Sequence, residues 1–419
     1  MDPNAQVRLS RNLWAVTLTS FLTDISSEMV SNLLPIFLAS VLGVRTGLIG
    51  LIEGVAETTA SLLKVFSGWL SDRLAKRKAL AVLGYGLSTL AKPFLYLATS
   101  WAWVLGVRFA DRFGKGLRTA PRDALVAESI AGNRRGFAFG LHRAGDTAGA
   151  VIGIALALAV LTAVGRGTNL DRHLFQVIVV LSLIPAALAV LVLALGAREV
   201  TRRATPGATP PLGLRGLDRS FLLFLGVVVL FTLGNSSDAF LILRSQSVGL
   251  TAAGVLGMMI TFNLVYALVS IPSGVLSDRF GRRRVLVTGW LLYAVVYFAF
   301  ARLEAGWQAW LWMGIYGVYY GLTEGVARAL VADLVPAEKR GTAYGVYHAS
   351  IGLAALPASL VAGILWQGMG SWQGLGPSAP FVFGASLALV SALLLAALPH
   401  TVPVSLREAR PAEERGRLR

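Results

Sequence analysis

The chain has no cysteine, which leaves neither a disulfide framework nor a thiolate metal site open to it. Its four histidines, His142, His173, His348 and His400, lie too far apart in sequence to suggest a cluster, so no metal is expected. Charge is scarce as well. Asp, Glu, Lys and Arg make up 14% of the 419 residues, against roughly 25% in soluble domains. No P-loop string occurs, which disfavours ATP-driven work. No clustered nucleophile or metal constellation stands out, so an enzyme is not expected and no cofactor is called for. A cleavable signal peptide is not evident, since the first apolar run is long and holds Asp24 and Glu28.

What is there is apolar length. Hydrophobic residues make up 55% of the chain and mean hydropathy is +0.66. Twelve stretches between residues 13 and 398 are long enough to cross a bilayer as helices. The net charge of +16 would suit nucleic acid, but its distribution points to a membrane. Twelve spans put both termini on one side. With the even-numbered connections that side collects twenty-four Lys and Arg, against Arg45, Arg166, Arg172 and Arg302 on the other. Excess Lys and Arg marks the cytoplasmic face. Both termini are therefore expected inside a bacterial-type cytoplasmic membrane, with the bilayer rather than nucleic acid as partner.

The chain repeats itself. Gly68 to Lys78 read GWLSDRLAKRK and Gly274 to Arg284 read GVLSDRFGRRR, 206 positions apart and each at the end of an apolar run. The copies share Gly68/Gly274, Asp72/Asp278, Arg73/Arg279 and Arg77/Arg283. The fifth span from Gly136 aligns with the eleventh from Gly341 at an offset of 205, and SerSerGlu (26–28) matches SerSerAsp (236–238) at 210. Near-constant offsets mean two copies of a six-helix unit. The organisation expected is a bundle over 1–197, a cytoplasmic linker over 198–217, a second bundle over 218–400 and a cytoplasmic tail over 401–419. The linker is rich in proline, glycine and arginine, the composition of a flexible connection.

On these residues the chain resembles the major facilitator superfamily (MFS), over essentially its whole length. The carrier of the resemblance is the loop after the second span, with the superfamily pattern G-x-L-a-D-r-x-G-r-[kr]; Ala75 departs from it, while Gly281 keeps it. The resemblance implies an all-α integral membrane fold of twelve transmembrane helices in two pseudo-symmetric six-helix bundles. It also implies a cytoplasmic gate in which Asp72, with Arg73 and Arg77, and by repetition Asp278, Arg279 and Arg283, latch one state. Spans one, two, four and five would then surround the cavity.

The ionisable residues fall in those spans. Asp24 and Glu28 share a face of the first and Glu53 and Glu57 a face of the second, with Lys64 further along that stripe. The fourth holds Arg108, Asp111, Arg112, Lys115, Arg118, Arg122 and Asp123; the fifth holds His142, Arg143 and Asp146. Lys92 is the exception, in a span the resemblance makes peripheral. Charges at membrane depth are costly unless they line a cavity or pair. Asp24, Glu28, Glu53, Glu57 and Asp146 are the proton-coupling candidates, Glu53 and Glu57 first, because neighbouring carboxylates share a proton readily. Lys115 is expected to pair with Asp111. Arg108, Arg112, His142, Arg143, Asp238, Glu324 and Arg328 are candidates for the substrate cavity, with Glu324 and Arg328 also spaced as a packing ion pair. The aromatics Phe262, Tyr266, Tyr316, Tyr319, Tyr320 and Tyr347 are candidates for an amphipathic lining.

Gly145, Gly149 and Gly153 recur every four residues, a spacing that lets helices approach closely. The string resembles the superfamily's antiporter signature, without its proline: Ala150 follows Gly149. The expected function is secondary transport of a small organic molecule by alternating access, driven by a proton gradient and directed outward, by a monomer. Uptake of an organic anion or nutrient with protons is the alternative. A membrane-embedded enzyme and a transporter-like sensor are remoter readings.

Overall fold

The computed structural model describes residues 10–74, 76–128, 135–164, 170–199, 217–335 and 340–398. These residues are almost wholly helical. The first half contains α1 (Arg11–Ser31), α2 (Leu34–Ile36), α3 (Thr46–Leu74), α4 (Arg77–Ala91), α5 (Trp101–Glu128), α6 (Arg135–Val164) and α7 (Arg172–Gly196). The second contains α8 (Arg219–Gly234), α9 (Ala239–Ser247), α10 (Ala252–Phe280), α11 (Arg282–Ala301), α12 (Gly306–Leu334), α13 (Arg340–Gln367) and α14 (Ala379–Ala397). The fold is all-α and integral to the membrane, with twelve spans in two repeats.

Two spans are broken. The first runs through α1, α2 and a π-helical turn over Phe37–Val41. Pro35, at the start of α2, has no N–H for the carbonyl one turn back, so α1 cannot continue through it. The seventh is α8 and α9, interrupted between Gly234 and Asp238. Helix starts are capped where short polar side chains stand at the boundary: Ser10 Oγ, Asp171 Oδ1 and Asp218 Oδ1 accept from the backbone N–H groups of Leu13, Leu174 and Ser220.

Seven helical stretches among the described residues are apolar enough to cross a membrane on length and composition alone: in α6, α7, α8 with α9, α10, α11, α13 and α14. The spans below that threshold are those in which polar chemistry replaces hydrocarbon. The first, second and fourth carry the clustered charges, α4 has 15 residues, and α12 combines Glu324 and Arg328 with tyrosines, tryptophans and glycines. Leu195 and Leu268 are each 74% exposed, and many other large apolar side chains are exposed too. On a membrane helix such residues face hydrocarbon.

The helices pack into two compact units. One is formed by Met1–Val44, Val55–Thr209 and Thr251–Ile260, the other by Arg45–Gly54, Pro210–Leu250 and Thr261–Arg419. In the first, α1 packs on α6 and α7, and α4 on α5. Gly145, Gly149 and Gly153 of α6 face Thr17, Phe21 and Ile25 of α1; a Cβ at Gly145 would lie 2.9 Å from Thr17 Cγ2, and one at Gly149 or Gly153 would strike the Phe21 or Ile25 carbonyl. The second unit has an aromatic core on α11, which packs on α12 and α14. Trp290 stacks on Phe231 with centroids 4.5 Å apart, and Tyr293 on Tyr297 at 4.0 Å. The first turns of α3 belong to this unit. There Thr46 bonds Gln367 Oε1 through both N–H and hydroxyl, at 2.6 and 2.7 Å, and a Cβ at Gly54 would lie 2.9 Å from Leu356.

Candidate functional site

In the first unit the ionisable side chains form one connected network. Its hub is Ser20, on α1. The Ser20 hydroxyl is 3.1 Å from Tyr85 Oη and 3.3 Å from His142 Nε2, and it accepts from Arg122 Nη1 at 3.3 Å. His142 is buried, and its Nδ1 lies 3.2 Å from Asp146 Oδ1, one turn along α6. Arg122 also pairs with Asp123 at 2.8 Å. Arg118 donates to Ser88 Oγ at 2.6 Å and lies over the Tyr85 ring, 4.4 Å from its centroid. The close crossing of α4 and α5 brings them together: a Cβ at Gly84 would lie 2.7 Å from Arg118 Cβ.

The other charges extend this network. Asp24 lies within electrostatic range of Asp146, Glu28, Lys115 and Arg118. Glu57 has Lys64, Lys115, Arg112 and Arg108 as neighbours. Glu28 accepts from Asn32 Nδ2 at 2.9 Å. The expected Lys115–Asp111 pair is replaced: Asp111 is 4.0 Å from Arg112, while Lys115 shares its surroundings with Glu57 and Asp24. A four-residue spacing sets which face two side chains occupy, but the adjacent Arg112 and the acids of neighbouring helices compete for these two. Arg108 is buried and Arg143 is exposed.

Lys92 does not behave as a peripheral charge. It sits in the single-turn helix Lys92–Leu95 that ends the third span, and it is buried. Its ammonium donates to the Ser26 hydroxyl and, at 3.2 Å, to that of Ser27. The serines of the SerSerGlu repeat are thus the seat of a buried cation.

In the second unit the matching SerSerAsp segment meets aromatics. Asp238 accepts from the hydroxyls of Tyr316 at 2.9 Å and Tyr320 at 3.3 Å. Phe262, Tyr266, Tyr316 and Tyr320 pack ring on ring, with centroids 5.2 to 6.2 Å apart. Tyr266 donates to Glu324, whose other oxygen pairs with Arg328 at 2.6 Å. Tyr319 stacks on Tyr316, and Tyr347 lies against His348 and Phe224. Arg244 stands apart, donating to the carbonyls of Phe300 and Leu303 at the end of α11.

The repeated loops differ between the halves. The Asp72 and Arg73 side chains lie outside the described residues, as do that of Glu128 and all of Arg134. Gly68 faces Ala120, where a Cβ would make ordinary contact at 3.4 Å, whereas Gly274 faces open space. Arg77 is buried, and its backbone N–H donates at 2.7 Å to Glu199, which also accepts from Lys78 at 3.0 Å and Ala79 at 3.4 Å. Glu199 therefore caps the start of α4, a role the sequence reading missed because 122 residues separate it from Arg77. Asp278 is 69% exposed and pairs with Arg282 at 3.4 Å. The Arg279 guanidinium lies 5.5 Å from the Phe280 ring, and Arg283 binds the Leu395 and Ala396 carbonyls at the end of α14.

Comparison with known proteins adds a family. A family model described as the Major Facilitator Superfamily matches residues 16–259 and 222–418. An uncharacterized MFS-type transporter of Methanocaldococcus jannaschii is 36% identical over 393 residues, 92% of this chain and 94% of that one. A class B tetracycline resistance protein of Escherichia coli is 30% identical over 122 residues, 29% of this chain and 28% of that one. Among solved structures, the inward-open xylose transporter XylE from E. coli superposes with a TM-score of 0.73 at 16% identity, covering 97% of this chain and 98% of that one.

Proposed function

We propose a transport cycle from an established premise: this chain belongs to the Major Facilitator Superfamily and is a secondary transporter of the membrane. In our reading it exports a small organic molecule in exchange for protons, and the first half carries the proton. The observation behind this is His142, held between Ser20 and Asp146, with Asp24 and Glu28 nearby. An imidazole with a hydroxyl on one nitrogen and a carboxylate on the other passes a proton between them with small ring movements. Asp24 stands within electrostatic range of both the Asp146 and the Glu28 carboxylates, so three acids gather beside the imidazole. The surroundings of Glu57 are different, because four cations answer its charge. Glu57 therefore ranks behind Asp146 and Asp24 as a coupling residue.

The tyrosine cluster around Asp238 and Glu324 offers flat apolar faces with hydroxyl and carboxylate edges, a surface suited to an amphipathic cargo. Outward direction draws support from the α6 glycine string and from the local similarity to a protein named for tetracycline resistance. The arginines of α5 support the second reading, uptake of an organic anion. The basic ends of the spans, with both termini, are placed in the cytoplasm. Because the chain has no cysteine, Arg284→Cys and Arg302→Cys test this directly. Impermeant maleimide should reach the second in intact cells and the first only in permeabilised ones; the reverse pattern would invert the topology.

A melting-temperature screen of the purified protein against small amphipathic molecules supplies the cargo. Proteoliposomes then give two readings, accumulation under an imposed pH gradient and exchange without one. Asp146→Asn should lose the first and keep the second. If Asp24→Asn, Glu28→Gln, Glu53→Gln, Glu57→Gln and Asp146→Asn all keep full gradient-driven transport, coupling through this network is wrong.

A further inference from the structure

The second unit holds two adjoining recesses at the ends of α8, α11, α12 and α14, sharing Arg283, Leu330 and Leu334. The larger, about 940 Å³, carries the charges, with Arg279, Arg282, Arg283, Arg284, Asp278 and Asp333 on its wall. The smaller, about 290 Å³, is apolar, walled by Leu223, Phe224, Leu330, Leu334, Leu395 and Leu398, with Arg219 beside them. Five arginines against two aspartates leave a net charge of +3 on the combined lining. Arg282 is answered by Asp278 and Asp333, and Arg283 by the α14 carbonyls. Arg219, Arg279 and Arg284 are exposed, and none of them pairs with a carboxylate among the described residues.

The repeat shows what such a place accommodates. In the first half the start of α4 takes the Glu199 carboxylate onto three backbone N–H groups. In the second half the start of α11 has Gly281 at its N-cap, with φ +93° and no side chain to cap it, and arginines through the first turn. Basic residues there add to the positive end of the helix dipole instead of offsetting it. At the offset of 205 the counterpart of Glu199 is Val404. Among the described residues, the second copy has the cationic seat without a carboxylate capping its helix start.

We propose that these recesses bind one anionic phospholipid, with its phosphodiester headgroup among Arg279, Arg283 and Arg284 and an acyl chain along the Leu330, Leu334 and Leu395 wall. A soluble anion would leave the apolar recess unfilled, and a zwitterionic lipid would bring an ammonium group to arginines. The side is the one richest in Lys and Arg, where anionic lipid concentrates. The site is independent of the direction and coupling of transport.

The test uses the full chain purified in mild detergent. Native mass spectrometry follows retention of phosphatidylglycerol, with phosphatidylcholine and inorganic phosphate as parallel probes. One phosphatidylglycerol should bind and raise the melting temperature, while phosphatidylcholine and phosphate do neither. The double variant Arg279→Gln, Arg284→Gln should bind about 30-fold more weakly, from two cations lost beside an anionic group. Arg302→Gln, at the far end of α11, should bind as the wild type does. Equal retention of phosphatidylcholine, an unchanged affinity in the double variant, or the same weakening in Arg302→Gln would overturn the proposal. A melting shift from phosphate alone would make this a soluble-anion site and overturn the lipid assignment. The comparison of lipids on the wild type needs no variant, so it decides even if the double variant folds poorly.

Discussion

At the offset of 205 that aligns the fifth span with the eleventh, α5 and α12 are counterparts, and their residues differ in kind. Asp111, Lys115 and Arg118 on α5 correspond to Tyr316, Tyr320 and Thr323 on α12, and His142 on α6 corresponds to Tyr347 on α13. The scaffold beneath has been kept. Gly84 admits α5 against α4, and Gly289, its counterpart, admits α12 against α11. Duplication preserved the helix crossing and exchanged the chemistry standing on it. Ions and hydroxyls are joined in the first half, rings and two carboxylates in the second. One repeat gathers linked ions, the other an aromatic surface.

That contrast is sharpest where the two copies can be swapped. Thr323→Arg places the first half's cation in the second, where Thr323 is buried and its methyl already crowds Gly289. The Thr323 hydroxyl bonds the Tyr319 carbonyl and pairs with no acid among the described residues, so the cost should reach about 3–5 kcal/mol, that of an uncompensated buried charge. Little folded protein should survive size exclusion in detergent. The reciprocal change, Arg118→Thr, leaves the Ser88 hydroxyl and the Tyr85 ring without their cation. It should cost about 2–3 kcal/mol, read as a lower melting temperature of protein that still folds. If both swaps were neutral, the difference between the halves would be incidental to packing.

How far this contrast could be read from the sequence varies with distance along the chain. The twelve spans and the duplication were legible because they rest on local hydropathy and on one repeated string. The positions of the charges were legible for the same reason. Their partners were not, since a partner is chosen by which face a neighbouring helix presents. Lys92 lies in a span expected to be peripheral, yet it points at Ser26 and Ser27, 66 and 65 residues away. Asp111 and Lys115 have the spacing of an ion pair, yet Asp111 meets its chain neighbour Arg112 while other helices bring Glu57 and Asp24 to Lys115. Glu324 and Arg328 do form the pair their spacing suggests, on a face where the added contact is Tyr266. Spacing decides a partnership only where no other group competes.

A smaller effect is expected within the second half alone. Asp238→Asn keeps one carbonyl oxygen for Tyr316 or Tyr320 and loses the charge. Folding should be little changed, while affinity for a cationic cargo should fall about tenfold, the loss of one charge-assisted contact. Binding of a neutral cargo should be nearly unaffected. Equal losses for both would mean that Asp238 shapes the tyrosine cluster rather than contacts cargo.

The smallest effect belongs to the Glu199 cap on α4, which has no counterpart at α11 among the described residues. Glu199→Gln retains a carbonyl oxygen for one N–H of Arg77, Lys78 or Ala79 but removes the charge facing the positive end of α4. Loss of a helix cap costs about 1 kcal/mol, and an exposed position holds the cost near or below that value. The melting temperature should fall slightly, and the fall should shrink in high salt, because the interaction lost is largely electrostatic. Hydrogen exchange should locate the change in the first turn of α4, with the start of α11 unaltered. Exchange that quickens equally in both helices would mean that Glu199 stabilises the protein as a whole. The two loops would then differ less in their electrostatics than their surroundings suggest.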